Sequence, residues 1–127
     1  MLNLNSILLF SENPEELADF YKKVFQKDPE WEMEGYHGFI VGSTMIMIGP
    51  HDKVQGKNAN PERLIINFET PDVESEFERI KAVGTTVIAE PYHPGEEPNM
   101  WLATFADPDG NFFQLGSPME DPNEGKN

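Results

Sequence analysis

The residues best suited to chemistry lie near the carboxyl end of the chain. A tight Asp-Pro-Asp-Gly-Asn turn (107–111) leads into the alternating segment Phe-Phe-Gln-Leu-Gly (112–116). A carboxylate at position 114 could bind a divalent metal ion, but the residue there is Gln114. Its neutral amide oxygen is a weak anchor for such an ion unless other ligands join it. The segment therefore predicts hydrogen bonding to a ligand rather than metal binding.

The histidines do not supply an alternative metal site. His37, His51 and His93 lie on three separate segments, without the short spacing that places two ligands on one face. His51 and His93 each lie near a proline in a predicted loop and are interpreted as surface residues. His37 precedes a predicted strand and could point into a pocket. We therefore predict neither a metal cofactor nor a catalytic residue.

Other common catalytic signatures are also missing from the sequence. The chain has no cysteine, which excludes a thiolate nucleophile, a zinc-thiolate site and a disulfide framework. It contains no nucleophile elbow, glycine-rich phosphate loop or dinucleotide fingerprint. The sequence thus favours a binding protein over an enzyme.

A repeated pattern predicts the elements that position these residues. Residues 13–22 align with residues 70–79 at a constant offset of 57 (70 − 13 and 79 − 22). Each segment begins with an N-cap residue, Asn13 or Thr70, followed by a proline and acidic residues that favour a helix start. The first helix is predicted at about 14–26, and the second ends at Gly84. Strands are predicted at about 4–10, 38–41, 44–48, 62–69, 85–89, 100–105 and 111–115, which makes an α+β fold of two similar units.

Strand alternation predicts which side chains face a ligand. One face of each predicted sheet is apolar and suits a covering helix, whereas the other mixes apolar and polar groups as small-molecule sites do. Trp101 could instead be a core anchor, and the whole mixed face could be a solvated surface or a dimer interface. The predicted ligand-binding residues on the mixed face are Ser6, Met45, Met47, Arg63, Ile65, Asn67, Phe112 and Gln114. The aromatic residues Tyr36, Phe39 and Trp101 are added as candidate stacking rings.

Composition limits the partners. A chain of 127 residues is the size of one domain, and its net charge of −14 argues against binding to nucleic acid. The acidity indicates a solvated surface or a field that attracts cationic ligands. No apolar run reaches the length of a membrane span, and residues 1–3 do not resemble a signal peptide. We therefore expect a cytoplasmic location and no membrane partner.

Four segments together resemble the vicinal oxygen chelate superfamily, which includes glyoxalase I, extradiol dioxygenases and the fosfomycin- and bleomycin-resistance proteins. They are the opening strand Asn5-Ser6-Ile7-Leu8-Leu9-Phe10, the helix 17–25, the segment from Thr70-Pro71-Asp72-Val73 to Gly84, and the turn at 107–111. The Leu-Gly that usually follows the first helix reads Phe25-Gln26 here.

The resemblance implies one domain over residues 1–116, built from two βαβββ modules that form a curved mixed sheet with the helices on its outer face. Module one would span about 1–50, a linker about 51–61 and module two about 62–116. Residues 117–127 are expected to be an acidic, disordered tail.

The metal-dependent members of that superfamily hold their ion with His, Glu or Gln. The matching positions here are Ser6, Met47, either Arg63 or Ile65, and Gln114, depending on whether Thr70 or Asp72 aligns with the helix start. Only Gln114 could ligate a metal, so the chain is most similar to the metal-free, resistance-protein-type members.

The resemblance therefore predicts a metal-independent, homodimeric protein that sequesters a planar or cationic antibiotic in a groove between modules. Trp101, Phe112, Phe39 and Tyr36 would supply the rings, and Arg63 would bind a ligand carboxylate. Two alternatives remain open: a glyoxalase-like lyase or isomerase with an unrecognised metal site, and a non-catalytic interaction module.

Overall fold

Each half of the chain builds one helix and one four-stranded sheet. The computed structural model describes residues 1–119. The elements are β1 (Ser6–Ser11), α1 (Pro14–Phe25), β2 (Trp31–Met33), β3 (Tyr36–Val41), β4 (Thr44–Pro50), β5 (Ile66–Glu69), α2 (Val73–Lys81), β6 (Thr86–Tyr92), β7 (Leu102–Ala106) and β8 (Phe112–Gly116). Short 3-10 turns lie at Pro61–Arg63 and Pro94–Glu96.

The two sheets share one topology. The first has the order β1-β4-β3-β2 and the second the order β5-β8-β7-β6. In each, the strand before the helix pairs in parallel with the last strand of its unit, and the other pairs are antiparallel. The shared order confirms the predicted α+β fold with two βαβββ units.

The chain divides into two compact units. The first unit contains residues 1–59 together with the turn at 107–111, and the second contains residues 60–106 and 112–119. The expected tail falls mostly outside the described residues, since only its first three positions, 117–119, are described.

Helix α1 covers one face of the first sheet. Leu17, Tyr21 and Val24 are buried along the helix, and the Phe25 ring meets the Phe39 ring edge-on at a centroid distance of 5.3 Å. Phe39 pairs directly with the buried Ile46, and its side chain has 0% exposure. Phe39 is therefore a core residue under the helix, which corrects its prediction as a ligand-facing ring.

Helix α2 covers the second sheet and begins two residues later than predicted. Its N-cap is Asp72, whose side chain accepts a hydrogen bond from the Ser75 N–H at 3.0 Å. The Thr70 hydroxyl accepts from the Asp72 N–H instead, so Thr70 is not the cap. The two N-caps, Asn13 and Asp72, are thus 59 positions apart (72 − 13) rather than 57.

The strand predicted from Glu62 begins only at Ile66. Pro61 starts a 3-10 turn that includes Arg63, so strand alternation does not set the direction of the Arg63 side chain. Leu64 is 67% exposed, and Ile65, predicted to face a ligand from the strand, precedes it. These positions correct the predicted faces of the segment before Ile66.

A three-residue strand, β2, was missed by the sequence prediction. It pairs antiparallel with β3 through a two-residue turn at Glu34 and Gly35, both of which have positive φ. Positive φ at both positions is typical of a type I′ hairpin turn, whose twist matches the flanking strands. The hairpin brings Trp31 onto the first sheet.

Neither helix among residues 1–119 combines the length and apolar character needed to cross a membrane.

Candidate functional site

The face of the first sheet that points away from α1 is uncharged along all four strands. We call it the open face. The register aligns Ser6 with Met45, and Met47 with Gly38, so these side-chain positions share that face. Its members are Ser6, Leu8 and Phe10 of β1, Trp31 and Met33 of β2, Tyr36, Gly38 and Ile40 of β3, and Met45, Met47 and Gly49 of β4.

Two aromatic rings on the open face lie directly over glycines. A Cβ added at Gly38 would come within 2.6 Å of Trp31 ring atoms, and one added at Gly49 within 2.1 Å of the Tyr36 ring. Each ring therefore occupies the space that a side chain would fill in the neighbouring strand. Both rings are half-buried, so part of each remains accessible. We call this pair of rings the aromatic floor.

The rest of the open face is apolar and partly exposed. Leu8 is 54% exposed and Ile40 46% exposed, whereas Met45 and Met47 are half-buried. Apolar side chains grouped on one exposed surface mark a ligand or protein contact more often than isolated ones do. The structure thus brings the predicted residues Ser6, Tyr36, Met45 and Met47 together on this face.

The corresponding face of the second sheet carries a row of polar side chains. Asn67, Gln114 and Thr104 lie on three neighbouring strands in direct register. The Gln114 Nε2 donates to the Thr104 hydroxyl at 3.3 Å. We call these three residues the amide row. Strand alternation places the half-buried Phe112 on the same face. Thr104 was not among the predicted site residues, although its strand was predicted.

Trp101 lies just before β7 and outside the amide row. Its ring contacts the His93 ring at a centroid distance of 4.0 Å, and the His93 Nδ1 is 2.9 Å from the Met100 carbonyl oxygen. The Trp101 N–H donates to the Ser117 hydroxyl, and the Ser117 N–H donates to the Trp101 carbonyl. The first residue of the expected tail is therefore tied to the second unit.

His37 does not point into a pocket. It aligns with Ile48 on the helix-covered face and is 4% exposed. Its Nε2 lies 3.0 Å from a Glu15 carboxylate oxygen. Its Nδ1 lies 3.3 Å from a Glu32 oxygen, without the alignment of a hydrogen bond. The imidazole thus belongs to the helix–sheet packing of the first unit.

The closing turn is held in the first unit by a buried carboxylate. The Tyr21 hydroxyl donates to Asp107 Oδ2 at 2.7 Å, and Asp107 Oδ1 accepts from the N–H groups of Asp109 and Asn111. The pKa of Asp107 is raised, because the effect of burial exceeds the opposite effect of these hydrogen bonds. Burial, together with the Asp107 charge, also raises the pKa of Tyr21 well above its usual value. The pair therefore anchors the turn structurally.

The side chains at the positions implied for a metal do not fit a divalent cation. With Asp72 as the observed N-cap, the third position is Ile65 rather than Arg63. Ser6, Met47, Ile65 and Gln114 offer a hydroxyl, a thioether, a hydrocarbon and an amide, with no carboxylate or imidazole. Within residues 1–119, no three His, Asp or Glu side chains are grouped so as to hold a metal ion.

Comparison with solved structures supports the fold. A glyoxalase/bleomycin resistance protein/dioxygenase family enzyme from Burkholderia phytofirmans PsJN superposes with a TM-score of 0.73 at 19% identity, covering 93% of this chain and 100% of the other. A lactoylglutathione lyase from Agrobacterium tumefaciens gives 0.69 at 20% identity, covering 91% and 92%. A glyoxalase-related enzyme from Fulvimarina pelagi gives 0.75 at 17% identity, covering 93% and 89%. These TM-scores establish a shared fold.

No curated protein matches the chain in sequence. A family-level match does cover almost all of it, because the sequence pattern of the Glyoxalase/Bleomycin resistance protein/Dioxygenase superfamily spans residues 3–115. Together with the two βαβββ units, this match shows that the chain belongs to that superfamily.

Proposed function

We propose that this protein binds a small molecule without a metal ion and sequesters it, and that the ligand is a planar or cationic compound of the antibiotic type. The observation that carries the proposal is the aromatic floor on an uncharged open face. Trp31 and Tyr36 are held over Gly38 and Gly49, where no side chain competes for the same space.

Ring stacking and apolar contact would supply the affinity. Stacked rings contribute about 0.5–1.5 kcal/mol beyond the burial of their surface, and a cation over a ring contributes a similar amount. Met45 and Met47 lie beside the rings and are flexible, polarizable side chains that adapt to different ligand shapes. A planar ligand laid on this face would therefore gain from both kinds of contact.

Polar groups and charge would add selectivity. In the second unit, taken by itself, the amide row offers donors and acceptors that are not ionised, which suits recognition of amides and carbonyls. Arg63 is exposed and available to an acidic ligand group, although its direction is not fixed by a strand. The net charge of −14 favours the approach of cationic compounds over anionic ones.

The screen that tests this function is thermal unfolding of chelator-treated protein with planar and cationic antibiotics, and with divalent ions in parallel. We expect at least one antibiotic, and no ion, to raise the melting temperature. If an ion alone stabilises the protein, the proposal fails and a glyoxalase-like lyase or isomerase becomes the better hypothesis.

A second candidate function is a protein-interaction module, and the exposure of Leu8, Ile40 and Met33 favours it. Met33 is 66% exposed at the end of the same face.

We also propose that the protein is a homodimer. Sedimentation of wild-type protein and of an Ile40→Glu variant separates the cases: a dimer that dissociates in the variant places the subunit interface on the open face.

A further inference from the structure

A cavity lies in the first unit, where the linker meets the closing turn. It has a volume of about 300 Å³ and is lined by residues 53–58 of the linker together with Phe10, Asp109 and Asn111. This volume is at the lower end of the range for small-molecule sites. We call it the linker cavity.

The wall of the linker cavity is held in place by hydrogen bonds to the body of the first unit. The Gly56 N–H donates to a Glu12 carboxylate oxygen at 2.7 Å. The Asn58 N–H donates to the Asp109 carbonyl at 2.8 Å, and the Asn58 amide donates to Asn111 Oδ1 at 3.0 Å. The linker is thus fixed on the closing turn that Tyr21 and Asp107 anchor.

The turn that meets the linker contains a glycine in a left-handed conformation. Gly110 has a φ of +81°, and a Cβ added there would come within 3.5 Å of the Lys57 Cβ and 3.8 Å of the Asn58 backbone. The cavity is therefore built by ordered backbone rather than by a loose loop, which reduces the entropy lost when a ligand binds.

The charges of the cavity are unusual for this chain. Acidic residues outnumber basic ones by 23 to 9, yet two lysines and one aspartate line the cavity, a formal sum of +1 (2 − 1). Among the described residues, Lys22, Lys27 and Arg79 form ion pairs, whereas the ammonium groups of Lys53 and Lys57 form none. Two lining lysines without an ion pair favour an anion over a cation.

One apolar wall completes the site. Phe10 and Val54 line the cavity, and the Phe10 ring is positioned by an edge contact with the His51 ring at 5.1 Å. The Glu12 carboxylate lies next to the cavity but already accepts the Gly56 N–H, and the Asp109 backbone is used by the turn. These contacts leave the lysines and the apolar wall for a ligand.

We propose that the linker cavity binds a small organic oxyanion, with its carboxylate or phosphate between Lys53 and Lys57 and its apolar part against Phe10 and Val54. The site shares Phe10 with the open face, but its lysines lie outside that face and the proposal does not rest on the function proposed for it. Since carboxylate and phosphate share this chemistry, the probes must separate them.

The test is calorimetric titration of full-length protein with benzoate, phenyl phosphate and the uncharged analogue benzamide. We expect one or both anions to bind and benzamide not to bind. The anion with the higher affinity identifies the preferred oxyanion. If neither anion binds, or if benzamide binds as tightly, the proposal is wrong.

Two further measurements locate the anion-binding site. A Lys53→Gln/Lys57→Gln variant should bind at least about tenfold more weakly, because two charge-assisted contacts are lost. A Lys23→Gln/Lys81→Gln variant makes the same change in net charge elsewhere and should bind normally; equal weakening in both variants would overturn the assignment. Amide NMR shifts of wild-type protein should change at Gly56 and Gly110, and changes confined to other residues would also contradict it.

Discussion

Gly38 is the residue whose substitution tests the aromatic floor most simply. Its added methyl group would meet Trp31 ring atoms at 2.6 Å, so Gly38→Ala must displace the ring. We expect a loss of about 1–3 kcal/mol in the free energy of unfolding, as is typical of overpacking. Urea denaturation followed by circular dichroism measures the change.

The control for this substitution removes the ring. In a Trp31→Leu background, Gly38→Ala should be close to neutral, because the clash is gone and alanine restricts the unfolded chain more than glycine does. Comparing the four proteins gives the coupling between the two positions. The same loss in both backgrounds would show that Trp31 does not lie over Gly38.

Tyr21 makes the stability of the protein sensitive to alkaline pH. Its pKa is raised in the folded state, first by burial and then by the Asp107 charge. The unfolded chain therefore releases the phenolic proton at a lower pH than the folded protein does. The stabilising contribution is complete below the usual tyrosine pKa of about 10 and declines as the pH rises towards the folded-state value.

A Tyr21→Phe variant tests this linkage. At pH 8 it should be less stable than wild type by about 1–3 kcal/mol, since the Asp107 carboxylate loses a buried donor. That difference should shrink as the pH passes about 10. Denaturant unfolding across this range is the measurement, and a difference that stays constant or grows would contradict the assigned pKa direction.

At the scale of single residues, the sequence predicts which residue types form a site better than it predicts where their side chains point. Alternation correctly placed Met45 and Met47 opposite the buried Ile46 and Ile48. It could not place Phe39, because the phase of β3 depends on its pairing with Ile46, which is a long-range contact. Trp31 was missed for the related reason that its short strand was not predicted.

The helix starts illustrate the element scale, because the two N-caps work differently. Asp72 accepts a hydrogen bond from the Ser75 N–H, whereas the Asn13 side chain makes no capping hydrogen bond. Asp72→Ala should therefore lower the free energy of unfolding by about 1 kcal/mol, and Asn13→Ala should be nearly neutral. Thermal and urea unfolding of both variants checks this. Equal losses would mean that Asn13 caps α1 in solution.

Elements with strong local signals were predicted well. The proline and acidic residues predicted both helices, with the start of α2 two residues too early, and the predicted strands at 38–41 and 44–48 leave the two-residue turn that joins β3 to β4. The failures have physical causes. The three residues of β2 are too few to show alternation, and Pro61 favours a 3-10 turn where apolar residues alone suggested a strand.

At the scale of the whole molecule, the net charge of −14 predicts a clear salt response. Repulsion among like charges destabilises the compact state, and monovalent salt screens it. We expect the melting temperature to rise between about 10 mM and about 200 mM NaCl. A Glu78→Gln/Glu90→Gln variant, with a charge of −12 (−14 + 2), should melt higher at low salt and respond less. A melting temperature that falls with salt would show that attractive ion pairs dominate.

The repeat in the sequence predicted two similar units, and the family resemblance supplied the βαβββ pattern that both units share. The linker cavity could not be predicted in this way. It depends on the hydrogen bonds of Asn58 with Asp109 and Asn111, residues more than 50 positions away whose approach no local pattern encodes.

The central claim is that the aromatic floor binds a small molecule without a metal ion. Its most direct test is calorimetric titration of the most stabilising antibiotic into chelator-treated wild-type, Tyr36→Ala and Tyr92→Ala proteins. Tyr92 is a control because it is a 43% exposed tyrosine of the second unit. We predict saturable binding to wild type and Tyr92→Ala, and binding about threefold to tenfold weaker in Tyr36→Ala. Binding that requires an added divalent ion, or that is equal in all three proteins, would contradict the claim.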